Sequence, residues 1–253
     1  MIRQMTDTKS LYVAAAEQVC RIGQLALETT GRFSLVLSGG TTPRPLYELL
    51  ATAPFSTSID WKRVEFFWGD ERVVSPDDPG SNFRMAREAM LDKLKVPASR
   101  IHRIRAEEKD LQAAARAYED EIEQVLGQVA GVGRHPPHFN LFLLGMGPDG
   151  HTASIFPGTE ALEEKERWVI PVDVPSLGVK RITMTPPLIN SAHFIIFMVT
   201  GAAKADIVTS VLQGPRDPRR CPAQLIHPLT GEVIWFADRD ASSKLIQHHR
   251  NEA

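Results

Sequence analysis

The chain has 253 residues, of which 43% are hydrophobic and 24% are charged, as in an ordinary folded globular protein. Its formal net charge of -2 gives no electrostatic reason to expect nucleic acid or an anionic membrane surface as a partner. The two cysteines, Cys20 and Cys221, have the spacing of neither a metal site nor a disulfide framework. We see no secretory signal and no apolar run of about 20 residues, so we expect one cytoplasmic domain over residues 1–253. The oligomeric state stays open, and a monomer is compatible with these features.

After a short polar lead, the first part of the chain predicts a helix, a strand and a second helix. Apolar residues recur at helical spacing over residues 10–27, and Gly31 would end this helix. A buried strand is predicted over residues 33–37. Residues 43–50 then begin a helix with proline near its first turn.

A loop of small residues joins this strand to the second helix. Its members are Ser38, Gly39, Gly40, Thr41 and Thr42. Their N–H groups and hydroxyls would face the amino end of the helix, where unpaired N–H groups and the helix dipole favour an anion. The loop matches neither a Walker loop nor a dinucleotide fingerprint. We interpret it as a cradle for the phosphate of a small sugar, with a plain tight connection as the alternative.

Charged residues follow the next predicted strand, residues 64–68. Asp70, Glu71 and Arg72 form either a solvated loop or a polar wall of the same crevice. Ser81 is a suitable amino-terminal cap for a helix through residue 94.

A long helix is predicted from about residue 109 to 126, and its acidic residues, Glu119 among them, are interpreted as a solvated face. Residues 127–138 are rich in glycine and proline and predict a loop. No metal role is expected for His135 and His138, because no acidic or thiol partner lies nearby in the sequence.

The most informative stretch is residues 139–157. It opens with a short apolar run typical of a buried strand and breaks at Gly145-Met146-Gly147-Pro148, where glycine permits a sharp change of direction. Asp149 and His151 follow, in a segment that could begin a helix. The histidine would then lie at the carboxyl end of a strand, where open α/β sheets bind ligands. The alternative is an ordinary strand–turn–helix joint with a solvated histidine.

Strands and helices continue to alternate in the rest of the chain. Short strands are predicted at residues 168–172 and 181–184, and a buried strand at 193–199. Lys204 opens a helix that runs to residue 212. Because a lysine in a first helical turn opposes the helix dipole, this position favours a functional role. A strand at 233–237 and a helix at 241–248 end the pattern.

This alternation predicts an α/β fold, with a mostly parallel sheet, right-handed crossovers and helices on both faces. The small-residue loop, residues 70–72, His151 and Lys204 all follow strands, so they would gather at one edge of the sheet. The sequence has no Gly-x-Ser-x-Gly elbow, no cysteine within a motif and no set of metal ligands. General acid–base chemistry by His151 remains, and we expect neither a cofactor nor a metal.

Four segments, in order, resemble signatures of the 6-phosphogluconolactonase family. They are residues 37–43, 68–72, 145–158 and 200–205. The similarity covers nearly the whole chain, and the four together are far more specific than any one of them. The resemblance implies the Rossmann-like fold of that family and hydrolysis of 6-phospho-D-glucono-1,5-lactone to 6-phosphogluconate in the oxidative pentose phosphate pathway. A small sugar-phosphate lactone would be the partner.

Carried over by motif, the resemblance implies that His151 is the catalytic base. Asp149 would cap the local turn or orient the imidazole. Asp70 and Glu71 are the other carboxylates that could lie nearest to it, and the sequence leaves this choice open.

The resemblance also implies that the small-residue loop holds the phosphate. Arg72 and Lys204 would bind the anion, and Arg181 is a weaker candidate for the same role. The sequence does not decide which of them contacts the phosphate directly.

Two alternatives are kept. Glucosamine-6-phosphate deaminases resemble the chain at the glycine loop, the Asp-Gly-His motif and the late lysine, but Phe156 stands where their catalytic glutamate would be. A non-catalytic sugar-phosphate sensor would keep the glycine loop without needing His151. It would usually carry a DNA-binding segment, and none is visible.

Overall fold

The computed structural model describes residues 1–127 and 135–246. The strands are β1 (Ile2–Met5), β2 (Phe33–Leu37), β3 (Val64–Trp68), β4 (Asp70–Arg72), β5 (Leu141–Leu144), β6 (Val169–Val174), β7 (Val179–Met184), β8 (Phe194–Val199) and β9 (Glu232–Asp238). The helices are α1 (Thr8–Thr30), α2 (Arg44–Leu50), α3 (Asn82–Ala86), α4 (Leu111–Leu126), α5 (Pro186–Ile189) and α6 (Ala205–Gln213). None of the helices in these described ranges is long and apolar enough to cross a membrane.

Within the described residues, six strands form a parallel sheet in the order β1-β9-β8-β5-β2-β3. Every residue of β2, β3 and β5 is buried, so both faces of this half of the sheet are covered. Continuous apolar runs are what such doubly covered parallel strands require. The prediction of a mostly parallel α/β sheet is confirmed.

The remaining described strands form a small antiparallel sheet in the order β4-β7-β6. The segment from Asp70 to Arg72 is therefore a strand and not a loop. In its register with β7, Asp70 lies opposite Thr183 and Arg72 lies opposite Arg181. Since only Gly69 separates β3 from β4, the small sheet begins at the carboxyl end of the large one.

Capping residues fix both ends of α1. Asp7 accepts a hydrogen bond from the backbone N–H of Ser10 at 2.7 Å, which fixes the amino end. Gly31 adopts a φ of 74°, a left-handed conformation that suits glycine, and its N–H donates to the carbonyl of Leu27 at 3.1 Å. The predicted helix and its predicted end are confirmed.

Glu119 on α4 is not part of a solvated face, so that interpretation was wrong for this residue. Its side chain is buried, and its carboxylate accepts hydrogen bonds from the backbone N–H groups of Trp168 at 2.6 Å and Val169 at 2.8 Å. The carboxylate thereby satisfies donors at the start of β6, which a sequence pattern within α4 alone does not reveal.

The segment after His151 does not begin a helix. The carbonyl of Thr152 accepts a hydrogen bond from Ile155 N–H at 2.9 Å, which closes a tight turn, and Ala153 within it has a φ of 47°. A left-handed residue cannot continue a right-handed helix, so the chain runs on irregularly to Thr159.

The predictions at the chain ends also need correction. Residues 2–5, predicted as part of a polar lead, form β1 through parallel pairing with β9. In the predicted helix 241–248, residues 241–244 form turns, and Ser242 and Ser243 donate to main-chain carbonyls at Asp238 and Asp240. Such bonds compete with helix formation. Residues 247–248, and most of the predicted loop 127–138, lie outside the described residues.

Candidate active site

A cleft of about 330 Å³ opens at the carboxyl edge of the large sheet. It is lined by the small-residue loop after β2, by Asp70 and Arg72 on β4, by His151 after β5, by Arg181 on β7 and by Lys204 after β8. The predicted gathering of these segments at one sheet edge is confirmed. The parallel strands place their carboxyl ends there together, and the small antiparallel sheet forms the adjoining wall.

His151 is oriented by Asp149. Its Nδ1 lies 2.5 Å from Asp149 Oδ1, and the same oxygen accepts the backbone N–H of His151 at 3.2 Å. An ionised carboxylate only accepts, so Nδ1 carries the proton and Nε2 keeps a lone pair. Burial lowers the pKa of His151 below its ordinary value, against the opposing effect of the Asp149 charge. The imidazole is therefore suited to accept a proton near neutral pH.

Gly147 is required by the close approach of this pair. A Cβ at residue 147 would lie 2.1 Å from His151 Nδ1 and 2.6 Å from Asp149 Oδ1, far inside van der Waals contact. The N–H of Gly147 also donates to the carbonyl of His151 at 2.8 Å. The glycine therefore lets the loop close around the imidazole.

Asp70 is buried in the wall of the cleft and does not contact the imidazole through a hydrogen bond in the described residues. Its Oδ2 accepts from Ser154 Oγ at 2.5 Å and lies 3.5 Å from Arg181 Nη1. Its Oδ1 lies 3.3 Å from Asn82 Nδ2. Asp70 is thus a fixed acceptor and counter-charge in the wall.

Glu71 faces away from the cleft and holds the amino end of α3. Its carboxylate accepts the backbone N–H groups of Arg72, Asn82 and Phe83, each at 2.8 Å, and the hydroxyl of Ser81 at 3.0 Å. Burial raises its pKa, against these hydrogen bonds. Of the carboxylates that the sequence leaves open, Asp149 is therefore the one that contacts His151.

The small-residue loop presents unpaired donors. The hydroxyl of buried Tyr47 anchors its first residue, since it accepts Ser38 N–H at 2.9 Å and donates to Ser38 O at 2.8 Å. In the described residues, no group accepts a hydrogen bond from the N–H groups of the four positions that follow. Gly40 adopts a φ of 93°, which glycine tolerates and other residues rarely do. Unpaired N–H groups at the start of α2 are a good environment for an anion.

Cationic side chains stand opposite this loop. Arg72 and Arg181 are register partners across the small sheet, and their Nε atoms are buried without a partner in the described part of the chain. Lys204 Nζ donates to the carbonyl of Met146 at 2.8 Å. Arg181 and Lys204 are half-buried, and this burial lowers the pKa of both side chains. An anionic ligand would compensate these charges.

Sequence reasoning missed some of the residues that line the cleft. Asn82 follows Ser81, for which the sequence predicts only a helix cap. Leu177 lies in the turn between β6 and β7, and its role depends on how that hairpin folds over the cleft. Phe156 differs from the deaminase motif in sequence, but its stacking on His151, with ring centroids 3.8 Å apart, could not be read from the sequence.

Comparisons with known proteins identify the family of this chain. A family model described as glucosamine-6-phosphate isomerases/6-phosphogluconolactonase matches residues 6–235. The chain belongs to this family. A 6-phosphogluconolactonase from Synechocystis sp. is 41% identical over 220 residues, which are 87% of this chain and 88% of that protein. One from Nostoc sp. is 36% identical, over 96% and 98% of the two chains. The solved 6-phosphogluconolactonase from Trypanosoma cruzi superposes with a TM-score of 0.86 at 30% identity, covering 96% of each chain.

The family name covers two activities, and Phe156 distinguishes between them in this member. The ring occupies the position where the deaminase motif places a glutamate, and it packs flat against the imidazole at an interplanar angle of 24°. Arg181 also lies over this ring, with Cζ 5.7 Å from its centroid. An apolar ring cannot transfer a proton, so this family member lacks the ionisable group that the deaminase reaction needs at that point.

Proposed function

We propose that this protein hydrolyses 6-phospho-D-glucono-1,5-lactone to 6-phosphogluconate, in the oxidative pentose phosphate pathway. The observation that carries the proposal is the pairing of two features in one cleft. His151, held by Asp149, offers a free Nε2 at one place, and the loop with unpaired N–H groups faces cationic side chains at another. The relatives at 36–41% identity are named for this activity.

In the proposed mechanism, His151 acts first as a base and then as an acid. Nε2 removes a proton from a water molecule as the water oxygen bonds to carbon 1 of the lactone. Negative charge develops on the carbonyl oxygen, where backbone N–H groups stabilise it. The bond between carbon 1 and the ring oxygen then breaks, and Nε2 returns the proton to that oxygen, which becomes the hydroxyl of carbon 5. The new carboxylic acid loses its proton to solvent.

Phosphate recognition is assigned to the small-residue loop together with Arg72, Arg181 and Lys204. Charge-assisted hydrogen bonds are each worth about 1.5–3 kcal/mol when they are shielded from water. A substrate without the phosphate would lose these contacts with the loop and with the three half-buried cationic side chains. The proposal therefore requires a strong preference for the phosphorylated lactone.

We also propose that the chain is a single domain that works in the cytoplasm. One cluster of buried apolar residues extends from Leu11 to Ala241 through the described part of the chain, which supports a single domain.

The decisive experiment generates the lactone with glucose-6-phosphate dehydrogenase and follows its loss with and without this protein. Acceleration is expected for the phosphorylated lactone, with kcat/KM for unphosphorylated gluconolactone at least about 100-fold lower, since more than one charge-assisted contact is lost. Comparable values for the two lactones would show that the phosphate assignment is wrong. No acceleration, or release of ammonia from glucosamine 6-phosphate, would overturn the proposed function.

A further inference from the structure

Asn82 connects two parts of the cleft wall. It is the first residue of α3 and is only 1% exposed. Its Nδ2 donates to the main-chain oxygen of Asp70 at 2.8 Å and lies 3.3 Å from Asp70 Oδ1. Both partners are acceptors, so reversal of the amide would bring three oxygens together. The amide nitrogen therefore faces Asp70, and Oδ1 faces the opposite way.

On that opposite side, the amide packs against Gly39 of the small-residue loop. A Cβ at Gly39 would lie 1.7 Å from Asn82 Oδ1, so the amide occupies the space that a side chain would need. In the described residues Oδ1 is buried and has no hydrogen-bond donor. An apolar side chain would fill this space without burying an unpaired oxygen, so packing alone does not explain an asparagine here. The bonds to Asp70 do.

Asp70 continues the connection toward the histidine. Its other carboxylate oxygen accepts from the hydroxyl of Ser154 at 2.5 Å, and Ser154 is fully buried. Ser154 lies three residues after His151, in the same irregular segment. A continuous set of contacts thus runs from Gly39 through Asn82 and Asp70 to Ser154, from the glycine loop to the segment that carries the imidazole.

We infer that Asn82 is a positioning residue that sets the distance between the glycine loop and the His151 segment. The inference rests on the proposed function, in which the loop holds the phosphate and His151 acts at the lactone carbonyl. A sugar phosphate that reaches both places is sensitive to this distance. Inorganic phosphate, which binds at the loop and its cationic neighbours but does not reach His151, is not.

The test uses Asn82→Leu, which is close in size to asparagine and removes both contacts with Asp70 without adding a charge beside the small-residue loop. Lactone hydrolysis gives kcat/KM, and competition gives the inhibition constants of inorganic phosphate and 6-phosphogluconate. We expect the phosphate constant to stay within about threefold of wild type. The 6-phosphogluconate constant should rise, and kcat/KM should fall, by about tenfold or more, since misplacement by about 1 Å has effects of that size.

Two further variants separate positioning from stability. Ser154→Ala breaks the same connection at its other end and should show the same selective loss. Asn190→Leu is the matched control, because Asn190 also bonds main-chain groups, at Leu225 and His227, but lies outside the cleft. It should lower the melting temperature without changing the ratio of the two inhibition constants.

Each outcome supports or overturns the inference. Equal losses of affinity for phosphate and 6-phosphogluconate would mean that the loop itself is distorted. No loss of affinity for either would mean that the contacts of Asn82 do not affect substrate binding. Both results overturn the inference. Neither bears on the proposed function, which depends on the activity of the wild type. If Asn82→Leu does not fold, Ser154→Ala tests the inference by the same criterion. A wild type without lactonase activity overturns the proposed function and this inference with it.

Discussion

His151 and His102 show how different surroundings give the same side chain opposite properties. At the cleft, His151 is hydrogen-bonded to Asp149, and burial lowers its pKa. In the core behind the sheet, His102 lies 2.8 Å from Glu121 and 3.0 Å from Glu65. Burial alone would lower the pKa of His102 too, but the hydrogen bonds and charges of the two glutamates outweigh it and raise the pKa.

The number of carboxylates in contact decides what each imidazole can do. His102 has both ring nitrogens engaged, stacks on Phe67 with centroids 4.6 Å apart and has Arg100 as a neighbour on Glu65. It connects β3 to α4 and has no lone pair left for chemistry. His151 keeps one nitrogen unengaged in the described residues and is neutral near pH 7. The first arrangement suits a structural cation, and the second suits a base.

The largest expected difference between the two comes from removing each imidazole. His151→Ala should lower kcat by about 10²–10⁴-fold, the usual worth of a positioned acid–base group. Product affinity should change far less, because the phosphate contacts lie on other loops. A folded variant that keeps more than about a tenth of wild-type kcat, outside that range, would show that His151 is not the base.

His102 should respond in the opposite way. His102→Ala removes a buried partner of Glu65 and should lower the free energy of unfolding by about 1–3 kcal/mol, measured in urea. Its kcat should stay within about threefold of wild type, since no ring atom faces the cleft. A loss of kcat in fully folded His102→Ala would contradict a purely structural role for His102.

A glycine substitution tests the geometry around His151 without removing the imidazole. In Gly147→Ala, the new Cβ would collide with Nδ1, and the displaced ring should lose about 10²-fold in kcat. Gly145→Ala is the matched control, because a Cβ there meets no atom within 4 Å. Similar kcat values for the two variants would show that the placement of the ring does not limit the reaction.

The pH profile of activity should report the lowered pKa of His151. The neutral imidazole is the active base, so kcat/KM should decrease as the pH is lowered. The midpoint of this acidic limb should lie below the ordinary histidine pKa of about 6.5. Asp149→Asn removes the charge that opposes this lowering, so the limb should move to still lower pH, with kcat reduced about tenfold or more as the tautomer is lost. His102→Ala should leave the limb in place. An unmoved limb in Asp149→Asn would assign it to another group.

The smallest expected effect is the pH dependence of stability. Because the pKa of His102 is raised on folding, the folded chain binds this proton more tightly than the unfolded chain. The resulting stabilisation is complete below about pH 6.5, the unfolded value, and is lost as pH rises through the folded pKa. The free energies of unfolding of wild type and His102→Gln, measured in urea, should therefore become more similar as pH rises from about 6 to about 9. A difference in free energy of unfolding that grows with pH would contradict the positive charge assigned to His102.

The sequence predicted the features that depend on neighbouring residues. The apolar runs of β2, β3, β5 and β8 are local signals, and so are the glycine loop and the Asp-Gly-His motif. Parallel topology then brings them together at one edge without further information. Asp149 was also within reach of sequence reasoning, because only one residue separates it from His151.

What escaped prediction depends on contacts between distant segments. Asp70 pairs with Thr183, Glu119 receives the N–H groups at the start of β6, and His102 meets glutamates from β3 and α4. The hydrophobic periodicity of a single helix or strand does not indicate such a partner. The turn at Ala153 was missed for another reason, since alanine gives no signal for a left-handed conformation.

The separation between the two sheets has a consequence for how this enzyme could be altered. The proposed general base, His151, lies on a loop after a strand of the parallel sheet, as do the small-residue loop and Lys204, whereas Asp70, Arg72 and Arg181 lie on the small antiparallel sheet. Two of the cationic side chains proposed to bind the anion, Arg72 and Arg181, thus lie on backbone that is paired separately from β5, the strand before His151. Changes in the turn of the β6–β7 hairpin, where Leu177 lines the cleft, are therefore the most direct way to vary substrate binding while His151 and Asp149 stay on the loop after β5.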